Sequence, residues 1–136
     1  MSSTKGFSKE EKAAMRARAK ELKAAEDGET AVQESLAAMT PKDRAIGKRI
    51  HELVKESAPD LIPKTWYGMP AYANKDGKVV VYFRNAGKFK ERYSMLGFNE
   101  AANLDDGSLW PVAFAVPELK KTDEARIRAL VKKAAS

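Results

Sequence analysis

The sequence predicts an α+β fold, a two-layer sandwich in which an antiparallel sheet of about four or five strands is covered by helices from both ends of the chain. Three observations carry that expectation. Both tryptophans, all four tyrosines and four of the five phenylalanines fall within residues 64–116. Inside that block apolar residues alternate along the chain and are interrupted by turn signals, as in strands with one buried face. On either side of it, apolar residues recur instead at helical spacing.

Each element has its own reason. Ser8-Lys9-Glu10-Glu11 has the Ser-x-x-Glu capping pattern, which predicts a helix over residues 9–25. Its apolar stripe is thin, Met15 and Leu22 among alanines, so it is expected to be peripheral. Asp27-Gly28 is read as its end, and Val32, Leu36 and Met39 as a short second helix. These readings divide the chain into a basic N-terminal helix (1–27) and an α+β domain (28–136). Thr40-Pro41 signals a further helix, an N-cap followed by proline at the first helical position, with Asp43 facing the positive end of the dipole. Its core stripe is Ile46, Ile50, Leu53 and Val54. Pro59 and Pro63 end it. Asn74-Lys75-Asp76-Gly77 is a hairpin signal. Val79, Val81 and Phe83 alternate with Val80, Tyr82 and Arg84. Trp110, Val112, Phe114 and Val116 share one face of a last strand. Pro70 and Pro111 cannot donate to a ladder, so each is expected at an edge or bulge. Asn99 is expected to cap one helical turn. The final helix starts at Thr122 and presents Ile127, Leu130, Val131 and Ala134.

Composition narrows the function classes. The chain has 136 residues, 43% hydrophobic and 32% charged, as in an ordinary globule. The longest apolar runs, residues 79–83 and 112–116, fall far short of the ~20 residues of a membrane span. With no apolar N-terminal stretch either, a cytoplasmic protein without a membrane partner is expected. Cysteine is absent, which excludes disulfides, thiolate metal sites and a cysteine nucleophile. Residues 1–25 hold seven Lys/Arg against Glu10, Glu11 and Glu21, so most of the net +6 charge lies there. Such a run ordinarily serves solubility. Gly-x-Ser-x-Gly, a phosphate-binding loop and Gly-x-Gly-x-x-Gly are all missing, and Gly87-Lys88 stands alone, so no enzyme is expected.

Several segments together resemble the YdhG-like bacterial family, a domain family of unknown function that includes a frataxin-like iron chaperone. They are Trp66-Tyr67-Gly68-Met69-Pro70-Ala71-Tyr72, Lys88-Phe89-Lys90 with Tyr93 and Leu96-Gly97-Phe98, Leu104-Asp105-Asp106-Gly107 with Trp110-Pro111, and Arg126-Ile127 with Leu130-Val131. The first two segments are expected to be strands. The resemblance spans residues 31–134. It implies a frataxin-like helix-on-sheet sandwich, weak iron binding as the one candidate cofactor chemistry, and iron-acceptor proteins as partners.

Weak, exchangeable iron sites use oxygen ligands. The candidates are Glu100, Asp105 and Asp106, with Glu26, Asp27 and Glu29 as a second group. Asp105 and Asp106 beside Gly107 also suit an Asx-type turn. His51, the lone histidine, is read as a partly exposed helix residue. A different class of function is a binding module. Trp66, Tyr67, Met69, Tyr72 and Trp110 are candidates to line an apolar cleft, although Trp66 and Trp110 also suit a role as core plugs. Lys64, Arg84, Lys88, Lys90 and Arg92 flank Tyr67, Tyr72, Tyr82, Phe89 and Tyr93, the mixture with which sheets hold anionic partners. No RNP-type motif is present, so nucleic acid is not the expected partner.

Overall fold

The computed structural model describes residues 8–136. Among these, helix α1 spans Lys9–Ala37 and α2 Pro41–Ser57. Strands β1 (Ile62–Trp66), β2 (Met69–Ala73) and β3 (Val79–Arg84) follow, then α3 (Ala86–Phe89), β4 (Ser94–Phe98), β5 (Ala113–Val116) and α4 (Lys121–Ala135). The five strands form one antiparallel sheet in the order β1-β2-β3-β4-β5. This is the expected α+β two-layer sandwich.

The first correction concerns Gly28. It does not end the first helix, because α1 runs unbroken from the Ser8 cap, whose Oγ accepts from the Glu11 N–H at 3.0 Å. A Cβ on Gly28 would lie 1.7 Å from the Pro63 carbonyl oxygen. Gly28 is thus the point where α1 presses against the backbone of β1. The expected second helix is the C-terminal half of α1, with Val32 and Leu36 fully buried. The division at residue 27 falls inside a continuous helix, and α1 is peripheral only in its first half.

The Thr40-Pro41 signal gives α2 as expected, with the Asp43 N–H donating to Thr40 Oγ1. Alternate residues of the sheet (Tyr72, Val81, Phe83, Leu96, Phe98) face the helices and join Ile50, Leu53, Val54, Ile127 and Val131 in one core. Arg49 of α2 ties down α4 by a 2.7 Å ion pair with Glu124.

Other corrections are local. The segment 66–72 is no single strand: Tyr67-Gly68 is the two-residue tip of the β1-β2 hairpin, with both residues at positive φ. Lys88-Phe89-Lys90 is not strand either, since Lys88 and Phe89 belong to α3 and Lys90 terminates it in a left-handed conformation. Pro70 sits in an interior strand, but pairing with β3 begins only at Ala71, so its missing N–H falls outside that ladder. Asn99 closes a turn with Ala102 and no helix. Val112, expected on the buried face, precedes β5 and is 52% exposed. The 74–77 turn is as expected: Asn74 Oδ1 accepts from the N–H groups of Asp76 and Lys78 at 3.0 Å, and Gly77 takes positive φ.

Candidate functional site

Helices cover one face of the sheet. On the opposite face the cross-strand register aligns Lys64, Trp66, Tyr82 and Arg84 with small or slender partners: Met69, Ala71, Met95, Gly97, Ala113 and Ala115. Met69 and Ala71 are buried beneath the larger side chains. Tyr82 lies flat across its neighbour Gly97, whose added Cβ would come within 2.1 Å of the tyrosine ring. Any side chain at position 97 would lift that ring off the sheet.

Three aromatics form a row on this open face. Trp66 packs edge-on against Tyr67 with centroids 5.0 Å apart, and meets Tyr82 at a tilt with centroids 5.2 Å apart. Tyr67 is 77% exposed and holds φ of 51°. A left-handed conformation costs a residue with a Cβ roughly 1–2 kcal/mol, and two-residue hairpin tips normally use Asn or Gly for that reason. The turn is clamped from outside. Lys88 Nζ donates to the Tyr67 carbonyl at 2.8 Å, and Ser35 Oγ of α1 donates to the Gly68 carbonyl at 2.8 Å. Cations border the row: Lys64 by register, Lys88 by that hydrogen bond, and Arg84, whose guanidinium lies 3.8 Å over Phe89 while pairing with Glu91.

A second cluster lies on the covered side. His51 is 4% exposed rather than partly exposed, because Tyr72 of β2 and Glu29 of α1 close on its two ring nitrogens. Its Nδ1 is 2.8 Å from the Tyr72 hydroxyl and its Nε2 2.9 Å from the Glu29 carboxylate, which Lys55 also meets at 3.3 Å. Burial pushes the Glu29 pKa up, but the hydrogen bonds and charges of His51 and Lys55 outweigh it and hold the group below its ordinary value. The Tyr72 hydroxyl titrates far above its usual range, through burial and then the nearby Glu29 charge. With His51 and Tyr72 both buried, the chain Glu29–His51–Tyr72 is a pin joining α1, α2 and β2. No sequence motif links these three residues. No local signal marks them, because Glu29 and Tyr72 lie 22 and 21 positions from His51 in the chain.

The candidate residues therefore separate. Trp66, Tyr67 and Met69 share the open face, while Tyr72 points to the other side of the sheet. Trp110 lies at another edge, where Phe98, Glu100, Ala102, Leu104, Asp105, Trp110 and Val112 surround a cavity of about 500 Å³. Neither tryptophan is among the fully buried side chains: Trp66 serves the open face, and Trp110 packs on the core from its rim. Asp106 is exposed and outside that cavity's lining. Glu29 belongs to the pin, apart from Glu26 and Asp27. Among the described residues no three or more His, Cys, Asp or Glu side chains converge in a way that could hold a metal ion, and no helix is long and apolar enough to cross a membrane. Set against known proteins, the chain matches no family model, no curated protein and no solved structure.

Proposed function

We propose that the protein is a non-catalytic binding domain of the YdhG-like kind, and that it takes a planar ligand carrying negative charge on the open face of its sheet. The observation behind this reading is Tyr67: a large aromatic held in a costly backbone conformation, exposed to solvent, and set edge-on to Trp66, which in turn meets Tyr82 at a tilt. Strain kept where it gains no burial is commonly kept for function. Aromatic faces bind flat rings whatever their substituents, and Lys64 and Lys88 supply the complementary charge. Short single-stranded oligonucleotides and nucleoside monophosphates are suitable probes, followed by titration calorimetry at low salt. Trp66→Ala should abolish binding. Tyr67→Asn should weaken it while raising stability by about 0.5–1 kcal/mol, because asparagine tolerates the left-handed turn. Unaltered affinity in both variants would refute the site.

A second reading, delivery of ferrous iron, comes from the family resemblance. In its favour, Glu100 and Asp105 border one cavity, offering the weak oxygen ligands such transfer needs. Anaerobic titration with Fe²⁺ should then shift the amide resonances of Glu100 and Asp105 and leave those around Trp66 unmoved. The reverse pattern would reject it.

A further inference from the structure

The first half of α1 carries a charge pattern that the sheet site does not use. At 100° per residue, Lys9, Lys12, Arg16, Lys20 and Lys23 fall within an arc of about 80°. The buried residues of the same helix, Gly28, Val32 and Leu36, centre about 160° away, so the cationic stripe points away from the core. Glu10, Glu11 and Glu21 all lie off the stripe, and acid returns to it only at Asp27. Among the described residues none of the five cations makes a salt bridge, whereas Arg18, on the other side, pairs with Glu21. Successive cations three or four positions apart repel, each pair costing a helix about 0.2–0.5 kcal/mol. Mere solubility would be served as well by interspersed signs. The stripe is about 21 Å long at 1.5 Å per residue.

We propose that this face of α1 docks along the phosphate backbone of a nucleic-acid duplex, without reading base sequence. An extended polyanion matches a linear row of five cations better than a compact anion does, and an α-helix fits against the groove of a duplex. A membrane surface is the poorer match. Helices that lie in lipid present a broad apolar face, while here Met15 and Leu22 stand among alanines, and no aromatic residue occurs between residues 8 and 25. The inference is independent of the ligand assigned to the sheet.

The test uses the full chain and a labelled duplex of arbitrary sequence, with anisotropy read over a salt series. Binding should weaken with a log–log slope of about −3.5 to −4.5, roughly 0.9 for each phosphate neutralised. The triple variant Lys12→Gln, Arg16→Gln, Lys20→Gln keeps good helix formers, so circular dichroism should be unchanged, and it should reduce the slope by about 2.5. Arg18→Gln, which removes a cation from the other side of the same helix, should leave affinity and slope as they were. Any of these results would overturn the proposal: no duplex binding at low salt, an unchanged slope in the triple variant, equal loss in Arg18→Gln, or tighter stripe-dependent binding to phosphatidylserine vesicles than to the duplex.

Discussion

The two halves of α1 are one continuous helix built by different rules. From Gly28 onward, every fourth position is enclosed: Gly28, Val32 and Leu36 are buried, and Glu29 reaches the His51 pin. Before Gly28, apolar side chains are few and open to water, with Met15 47% and Leu22 49% exposed. Helix propensity holds the first half and tertiary packing the second. The contrast predicts where substitutions are felt.

The largest effect should come at the contact that joins the halves. Alanine ordinarily improves a helix by about 0.8–1.0 kcal/mol over glycine. At Gly28 the added methyl meets the Pro63 carbonyl, part of a paired strand that cannot turn aside. Gly28→Ala should therefore destabilise by about 3 kcal/mol or more, the upper range for overpacking, as read from the urea midpoint. A stabilised variant would mean that α1 does not lie against β1 as described. Leu36→Ala comes next, at about 2–5 kcal/mol, because Leu36 is completely enclosed and packs over Gly47.

The pin should rank third. His51→Ala removes the partner of the buried Tyr72 hydroxyl and one partner of the half-buried Glu29 carboxylate, and should cost about 2 kcal/mol. Tyr72→Phe, which leaves the ring in place, should cost about 1 kcal/mol. The pin also sets a pH dependence. Because the folded-state pKa of Glu29 lies below its ordinary value of 4.5, the folded protein holds the carboxylate ionised longer than the unfolded chain does. Its contribution is complete above that ordinary value and disappears as pH falls through the depressed one. Stability followed from pH 6 to pH 3 should fall less steeply in Glu29→Gln than in the parent. Parallel curves would show that the Glu29–His51 contact is not formed.

How far the sequence announces this architecture depends on the kind of signal. Caps and turns act locally, so Ser8, Thr40-Pro41 and Asn74–Gly77 revealed their elements from short stretches of chain. Gly28 misled because a glycine in a helix looks the same whether it ends the helix or admits a neighbour, and Pro63 is 35 positions away. Tyr67-Gly68 hid its turn for the opposite reason: tyrosine is a poor turn former, and the strain it carries is visible only in the backbone. Of the candidate site, Trp66, Tyr67 and the bordering cations could be named from composition. That they share a face, and that Tyr72 does not, required the register. The His51 pin needed three elements placed at once.

The smallest effect belongs to the outer half of α1, and it separates packing from propensity there. Leu22 is a large apolar residue, so a count of hydrophobic contacts would give it a share in stability like that of Leu36. Its side chain is half exposed, and alanine is at least as good a helix former. Leu22→Ala should therefore change the unfolding free energy by no more than about 0.5 kcal/mol. The measurement discriminates because the two leucines lie on one helix and undergo the same substitution. A cost at position 22 near that of Leu36→Ala would place the first half of α1 against a packed surface, like the second half.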